Sequence, residues 1–348
     1  MMPIKPIEWR NRQLTILDQT KLPEKEVTLA CLKVDDVFQA IRTLQVRGAP
    51  LIGVASAYGI LVGLLERRKE GSSDLKKDVR EIGEYIQSSR PTAVNLEWAV
   101  KRMIRRSEEI DQKLEFDDFF REMEKEADAI FREDHDMCEK IGSCGSTLIK
   151  DGSALLTHCN AGALATTGLG TALSPMYTAK KEGKTIKVYV DETRPLLQGA
   201  RLTSFELMRA GIKTILITDS MAASLMQEGK IDLVITGADR IAANGDTANK
   251  IGTLNLGILC SYYKIPFYIA APASTFDFLI GSGKEIPIEE RDPAEVTFFA
   301  GRRTAPEDVN VFNPAFDVTS HALITGFITN RGIITPPFRE NLSQAFSR

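Results

Sequence analysis

The second half of the chain alternates short, continuously apolar runs with longer helical stretches. Strands that are apolar along their whole length are typical of a parallel sheet covered on both faces, and repeated strand–helix units build such a sheet. The predicted strands are ALLTHC, KVYVDE, TILITDS, DLVITGADR and PFYIAAP, with HALITGFITN as a further candidate. The helices predicted between them are GALATTGLGTAL, QGARLTSFELMRAG, MAASLMQEG and ANKIGTLNLGILCSYY. The pattern therefore predicts an α/β domain with a parallel sheet.

The first half of the chain shows helical spacing instead. Apolar side chains recur at Val37, Ile41 and Leu44, and further helices are predicted over residues 51–65, 91–104 and 117–141. The charge-free stretch 51–65 is shorter than the roughly 20 residues that cross a hydrocarbon core, so we predict a buried helix. The segment GSCGSTLIKDGS has the composition of a boundary. These patterns predict a mainly helical domain, 1–145, and an α/β domain, 146–348.

Composition and charge exclude several classes of protein. The net charge is −3 and no basic stripe is present, so we expect no nucleic-acid partner. The five cysteines contain no CxxC spacing, and the three histidines are scattered, so we predict neither a disulfide framework nor a metal site. The first 19 residues lack the apolar core of a signal peptide. We therefore expect a cytoplasmic protein without a membrane partner.

Polar residues collect where the predicted strands end. Open α/β sheets bind ligands in the crevice beyond the carboxyl ends of their strands. The strand-end segments are His158-Cys159-Asn160, Asp191-Glu192-Thr193-Arg194, Thr218-Asp219-Ser220, Gly237-Ala238-Asp239-Arg240 and Ala271-Pro272-Ala273-Ser274-Thr275. This arrangement predicts a ligand site without naming a reaction.

Cys159 and Asp239 are the candidate acid–base pair. A cysteine at a strand end and helix start has its thiolate favoured, and an aspartate buried beside a phosphate has its pKa raised and can donate a proton. Position alone leaves open a cysteine that only packs and an aspartate that caps a turn or pairs with Arg240. A hydrolase pair of His158 with Cys159 is disfavoured, because successive strand residues point to opposite faces.

A phosphate site is predicted near these strand ends. Backbone N–H groups at a helix start bind phosphate, and residues 160–163 and 245–250 are predicted to precede or open helices. Arg47, Arg90 and Lys250 supply cations from loops before helices. The loops match neither GxxxxGK[ST] nor GxGxxG, which disfavours nucleoside triphosphates and dinucleotides as ligands.

Several longer segments resemble one enzyme family. They are RGAP (47–50), THCNAGALATTGLGTAL (157–173), DETRPLLQGARLTSFEL (191–207), ITGADRIAANGDTANKIGT (235–253), FITNRGIITPP (327–337) and, near the start, LDQTKLP (17–23). The chain closely resembles methylthioribose-1-phosphate isomerases of methionine salvage. It is similar, more distantly, to ribose-1,5-bisphosphate isomerases and to regulatory subunits of the guanine-nucleotide exchange factor for translation initiation.

The resemblance implies a fold and a set of site residues. It implies a helical amino-terminal domain, a Rossmann-like carboxyl-terminal domain, a homodimer and no cofactor. It places a catalytic cysteine at Cys159 and a catalytic acid at Asp239. It places substrate contacts at Arg47, Gly48, Ala49, Arg90, Gln198, Asn249 and Lys250.

The implied reaction is an aldose–ketose isomerisation of 5-methylthioribose 1-phosphate to 5-methylthioribulose 1-phosphate. Asp239 would protonate the ring oxygen, and Cys159 would either carry a proton between C2 and C1 or stabilise a hydride shift. Two alternatives remain: isomerisation of ribose 1,5-bisphosphate and a non-catalytic exchange-factor subunit. The apolar surroundings of RGAP disfavour the first, and the intact pair of Cys159 and Asp239 disfavours the second.

Overall fold

The computed structural model describes residues 4–91, 93–111 and 113–346, which form two compact units. The amino-terminal unit contains the chain up to Cys138 together with Ala163–Gly170. The carboxyl-terminal unit contains Glu139–Gly162 and the chain from Thr171 onward. The predicted division after residue 145 stays a prediction about independent domains, because compactness does not establish that either part folds alone.

The amino-terminal unit is mainly helical, as predicted, and also contains a small sheet. Its elements are β1 (Ile7–Arg10), β2 (Gln13–Leu17), β3 (Thr28–Cys31), α1 (Val34–Arg42), α2 (Ala49–Lys69), α3 (Leu75–Gln87), α4 (Val94–Glu109) and the start of α5 (Phe116–Ser146). The antiparallel sheet β1-β2-β3 was not predicted from the sequence. In β2 the buried Leu14 and Ile16 alternate with the less buried Gln13 and Thr15, the period of a half-buried strand.

Helix α2 is the apolar helix predicted from residues 51–65. Its residues from Leu51 to Leu64 are buried, so it has no polar face. Among the described residues it is the one helix long and apolar enough to cross a membrane, and 78% of its most apolar window is buried inside the protein. This burial is typical of the core helix of a globular unit.

The carboxyl-terminal unit is built on a seven-stranded sheet. The unit also contains a four-stranded sheet, β11-β8-β9-β14, and a two-stranded sheet, β12-β13. The strands of all three sheets are β4 (Ala154–Thr157), β5 (Lys187–Asp191), β6 (Lys213–Ile217), β7 (Leu233–Thr236), β8 (Arg240–Ala242), β9 (Thr247–Lys250), β10 (Phe267–Ala270), β11 (Phe276–Asp277), β12 (Phe298–Phe299), β13 (Arg302–Arg303), β14 (Phe316–Thr319), β15 (Gly326–Thr329) and β16 (Gly332–Ile334). Its helices are α6 (Ser174–Lys181), α7 (Ser204–Arg209), α8 (Ala222–Gln227), α9 (Thr253–Tyr263), α10 (Ala294–Thr297) and α11 (Phe338–Phe346).

The order of the large sheet is β16-β15-β10-β7-β4-β5-β6, and all its pairs are parallel except β15 with β16. In chain order the six parallel strands run 3-2-1-4-5-6, the Rossmann arrangement. This confirms the predicted fold class. The order reverses between β4 and β7, and ligands of such sheets bind at that switch point.

Two segments differ from their predicted structure. Residues 162–173 were predicted to be helical, but they form a buried irregular segment with a single 3-10 turn at Ala163–Ala165, and α6 begins only at Ser174. Residues 245–250 do not open a helix, because Thr247–Lys250 form β9 and the helix begins at Thr253. Both errors have the same cause: small residues satisfy helical spacing even where tertiary contacts select another conformation.

Candidate active site

The loops after β4 and β7 lie side by side at the switch point. The two strands pair at Leu155 with Leu233. A Cβ added to Gly237 would lie 3.0 Å from the Cβ of Ala161, so the two loops are in close contact. Cys159 is two residues before Ala161, and Asp239 is two residues after Gly237. The sheet therefore brings the two loops of the predicted acid–base pair together.

Cys159 is held by its backbone in a left-handed conformation. Its φ is 62°, which few non-glycine residues adopt. Its N–H donates to Thr193 Oγ1 over 2.8 Å, and its carbonyl accepts from Thr203 Oγ1. No helix begins at Asn160, so the predicted stabilisation of the thiolate by a helix dipole is wrong. The thiol is half-buried, and Cys159 lies just after the end of β4, at the switch point.

The other cysteines differ from Cys159 in burial. Burial raises the pKa of Cys31 and of Cys260 to about 12, and it raises the pKa of Cys138 as well. Cys144 and Cys159 are partly exposed. Thiolate is the reactive form, so we expect the three buried thiols to react more slowly than an ordinary cysteine near neutral pH.

Asp239 is exposed, which differs from the buried acid considered from the sequence. Its backbone N–H donates to the carbonyl of Ala248 over 2.9 Å, so it lies directly beside the predicted substrate residues Asn249 and Lys250. A bound anionic ligand that covers Asp239 would favour its protonated form.

Asn249 and Lys250 have defined partners on β9. Asn249 is buried, and its Nδ2 donates to Thr253 Oγ1 over 2.8 Å. The Nζ of Lys250 donates to the carbonyl of Ala315 over 2.9 Å and lies 4.7 Å from the ring centroid of Phe316. An anion near Lys250 would therefore compete with a neutral carbonyl for the ammonium group.

Gln198 has a buried and unsatisfied oxygen. The side chain is 9% exposed, and its Oε1 has no hydrogen-bond partner among the described residues. Buried amide oxygens are normally hydrogen-bonded, and an exception calls for an explanation. A sugar hydroxyl that donates to Gln198 Oε1 would supply one.

Asn160 is fixed by a buried carboxylate. Its Nδ2 donates to Glu206 Oε1 and to Thr203 Oγ1, and Tyr177 donates its hydroxyl to the other oxygen of Glu206 over 2.8 Å. A Cβ on Gly162 would overlap the Glu206 carboxylate, so the loop after Cys159 requires glycine there. The sequence did not identify Glu206 or Tyr177, because both lie in helices far along the chain.

Four predicted substrate residues belong to the amino-terminal unit. Arg47 and Gly48 precede α2, Ala49 is its first residue, and Arg90 follows the end of α3. Gly48 has a φ of 93°, and a Cβ there would lie 2.6 Å from the backbone of Ala165. Gly48 is therefore required for the close packing of this loop on residues 163–170. Pro91 does not open the next helix, which begins at Val94; Thr92 lies outside the described residues.

A buried pair not recognised from the sequence lies behind Cys159. His158 Nδ1 is 2.9 Å from Asp191 Oδ2, and Nε2 is 2.8 Å from the carbonyl of Ile251. Asp219, at the end of the next strand, accepts the N–H groups of Thr193 and Arg194 over 2.8 Å each. The three residues end β4, β5 and β6, so only the strand order, which the sequence does not give, brings them together.

The same cluster offers three potential metal ligands. One atom each from His158, Asp191 and Asp219 lie within 4.8 Å of one another. Both nitrogens of His158 and both oxygens of Asp219 already have hydrogen-bond partners in the protein. The cluster is therefore a hydrogen-bonded network in which His158 has no free lone pair for a metal.

Sequence comparisons show which known proteins this chain resembles. A model described as the Initiation factor 2 subunit family matches residues 45–336. A methylthioribose-1-phosphate isomerase of Thermoanaerobacter sp. (strain X514) is 52% identical over 342 residues, covering 98% of this chain and 99% of that protein. A 5-deoxyribose 1-phosphate isomerase of Moorella thermoacetica is 49% identical over 348 residues, covering 99% of this chain and 98% of that protein.

Solved structures give the same overall match. A 5-methylthioribose 1-phosphate isomerase from Pyrococcus horikoshii OT3 superposes with a TM-score of 0.91 at 42% identity, covering 99% of this chain and 96% of that chain. A structure described as translation initiation factor eIF-2B, subunit delta, from A. fulgidus gives a TM-score of 0.90 at 40% identity, covering 99% and 100%.

Proposed function

Because this chain belongs to the Initiation factor 2 subunit family, and within it to the methylthioribose-1-phosphate isomerases, we propose that it converts 5-methylthioribose 1-phosphate into 5-methylthioribulose 1-phosphate. The protein is an aldose–ketose isomerase, and the finer proposal concerns its substrate and its catalytic groups. The observation that carries it is the contact between the loops of Cys159 and Asp239 at the sheet's switch point.

The chemistry of the substrate explains why two such groups are needed. A phosphate on the anomeric oxygen prevents the spontaneous ring opening of a free hemiacetal. We propose that Asp239, protonated beside the bound phosphate, donates a proton to the ring oxygen as the ring opens. A hydrogen then moves from C2 to C1, and Cys159 either carries it as a proton or stabilises its direct transfer. C1 is reduced as it gains this hydrogen and C2 is oxidised as its C=O bond forms; the proton of the C2 hydroxyl passes to the Asp239 carboxylate and restores the acid, so no external oxidant or reductant is required.

The remaining site residues are proposed as substrate contacts. Asn249 and Lys250 lie beside Asp239, and the unsatisfied Oε1 of Gln198 can accept from a sugar hydroxyl. Arg47, Gly48, Ala49 and Arg90 of the amino-terminal unit are proposed as further contacts on the strength of the family resemblance. A homodimer and a cytoplasmic location are likewise proposals.

Two other sugar phosphates are alternative candidate substrates. 5-Deoxyribose 1-phosphate has the same ring oxygen, anomeric phosphate and C2 hydrogen, and it differs only in lacking the methylthio group at C5. Several relatives have this substrate in their names, which favours it as a second candidate. Ribose 1,5-bisphosphate would add a second dianion at C5, so it would need additional cations.

Phosphorus NMR of the protein with each of the three sugar phosphates tests the proposal. We expect the anomeric phosphate resonance of 5-methylthioribose 1-phosphate to convert into that of a primary phosphate ester. The Asp239→Asn variant, purified in the same way, controls for contaminating isomerase. A higher kcat/KM for 5-deoxyribose 1-phosphate would change the proposed substrate, and no turnover of any of the three would favour a non-catalytic subunit.

Loss of the cations is expected to weaken substrate binding. Arg47→Ala, Arg90→Ala and Lys250→Ala should each raise KM about tenfold or more, because hydrogen bonds to charged groups contribute roughly 1.5–3 kcal/mol. Inorganic phosphate should compete with the substrate. The exposed Arg105 on α4 and Lys213 at the opposite end of the sheet provide matched alanine controls. Unchanged KM in all three variants would show that phosphate binds elsewhere.

A further inference from the structure

We propose that His158 and Asp191, together with Thr193, form a buried positioning unit that fixes Cys159 relative to the turn at Ile251 and Gly252, which directly follows Asn249 and Lys250 of β9. This inference rests on the proposed function, because it assigns a role to residues behind the proposed catalytic cysteine. His158 and Asp191 are each 1% exposed and Thr193 is 0% exposed. None of the three can reach bulk solvent, so each acts through the groups it contacts.

The first contact links Cys159 to the substrate turn. His158 immediately precedes Cys159, and its Nε2 lies 2.8 Å from the carbonyl of Ile251, which immediately follows Lys250. A carbonyl only accepts, so Nε2 carries the proton. A Cβ on Gly252 would lie 2.8 Å from the imidazole Cε1, and Gly252 has a φ of 106°. The turn is therefore packed directly on the ring and hydrogen-bonded to it.

The second contact fixes the backbone of Cys159. Thr193 Oγ1 accepts the Cys159 N–H over 2.8 Å and donates to the carbonyl of Asp191 over 3.0 Å. The Thr193 hydroxyl thus links the backbone of Cys159 to Asp191, the residue that also holds the ring of His158. A Cβ on Gly199, next to Gln198, would overlap that Asp191 carbonyl, so a third loop is packed against the unit.

The protonation state of His158 preserves these contacts around neutral pH. Burial alone would lower the pKa of His158, but the hydrogen bond and charge of Asp191 outweigh burial and raise it. Asp219 and Asp317, the other acidic groups facing the ring, act in the same direction through their charges. The imidazole therefore keeps both N–H groups to a higher pH than a free histidine, and loses one only as the pH rises through that raised pKa.

Two variants of Asp191 test the unit. Asp191→Asn still offers an amide N–H to Nδ1 of a neutral imidazole whose Nε2–H donates to Ile251, so its kcat should stay close to that of the wild type. Asp191→Leu has a similar size but no hydrogen bond, and its kcat should fall about 10- to 100-fold, the scale of a small misplacement of a reacting group. Glu228→Gln, after the end of α8 and paired with the surface Lys230, is the control. Equal kcat for folded Asp191→Asn and Asp191→Leu would overturn the inference.

Thr193 gives a second test if Asp191→Leu does not fold. Thr193→Val keeps the branched shape but loses both hydrogen bonds, so kcat should fall while KM changes little, since the Lys250 turn is untouched. Thr193→Ser keeps the hydroxyl and should restore kcat. Thr214→Val makes the same change near the start of β6, at the opposite edge of the sheet from the strand ends, and should have no effect. Wild-type kcat in Thr193→Val would contradict a role in positioning Cys159.

Imidazole NMR provides a readout that does not depend on turnover. The chain has three histidines, so selective labelling gives three ring signals, and His135→Gln and His321→Gln assign them. The Nε2 of His158 should remain protonated and its proton should exchange slowly with water, because it donates to the carbonyl of Ile251 in the buried unit. An unprotonated Nε2, or an Nε2–H that exchanges as fast as that of an exposed histidine, would overturn the inference. If the wild-type protein turns over no sugar phosphate, the proposed function is wrong. The NMR measurement on His158 can still be interpreted in that case.

Discussion

Replacement of Asp239 by Asn is expected to lower kcat by at least about 100-fold, the scale of a general acid–base contribution. The anomeric phosphate locks the sugar ring, so the ring oxygen must receive a proton as the C1–O bond breaks. An asparagine has the same size and can hydrogen-bond to that oxygen, but it has no proton to give. KM should therefore change much less than kcat. Phosphorus NMR of the initial rate measures both quantities.

The exposure of Asp239 makes its pH dependence informative. Asp239 is exposed, and we expect the negative charge of the bound substrate phosphate to favour its protonated carboxyl. The acid is active when protonated, so kcat should fall as the pH rises through the pKa in the complex, and this limb should vanish in Asp239→Asn. Asp232→Asn, at the opposite end of β7, is the control. An Asp239→Asn variant that retains more than about a tenth of wild-type kcat would remove Asp239 from the mechanism.

The strands of the large sheet could be predicted because each is a short apolar run. ALLT, KVYV and LVIT are apolar or nearly so along their length, as expected of strands covered on both faces, and each forms a strand at the predicted place. The polar residues that follow these runs in the sequence lie at the ends of the strands, as predicted. The sequence pattern alone was sufficient to find these strands, because a strand that is buried on both faces is apolar along its whole length.

The order of the strands could not be predicted, and the site depends on it. Apolar runs do not specify their neighbours, so nothing in the sequence shows that β4 lies between β5 and β7. For the same reason the sequence does not link His158 to Asp191, which is 33 residues away in the chain although the two side chains are 2.9 Å apart. The prediction against a hydrolase pair of His158 and Cys159 stays a prediction, and it did not include the hydrogen bonds of the ring to Asp191 and to the carbonyl of Ile251.

The error over residues 162–173 shows how tertiary contacts override spacing. Thr166 accepts the N–H groups of Gly168 and Gly170 through its hydroxyl, and Asp134 accepts the N–H of Thr167 over 2.6 Å. Side chains thus satisfy backbone groups that a helix would have satisfied within itself. A run of small residues permits both solutions, and only the buried partners on α5 distinguish them.

Replacement of Cys159 by Ser is expected to lower kcat by at least about 100-fold, with a smaller effect on KM. A serine hydroxyl keeps the size of the thiol but is a far weaker acid, so it neither carries a proton from C2 to C1 nor offers a thiolate at neutral pH. Cys144→Ser is the matched control, because Cys144 is the other partly exposed cysteine and lies on α5, away from the strand ends. Its kcat should equal that of the wild type.

Thiol alkylation distinguishes a reactive Cys159 from one that merely packs. The raised pKa values of Cys31, Cys138 and Cys260 leave them protonated at neutral pH, so alkylation should modify Cys159 and Cys144 first. In the Cys144→Ser protein, loss of activity should follow modification of Cys159 measured by mass mapping, and substrate should protect. The helix dipole that was first expected to activate this thiol is absent. We therefore expect the rate of alkylation, and the protection by substrate, to depend on access to the thiol of this left-handed residue. Activity that disappears while Cys159 remains unmodified would exclude it as the essential thiol.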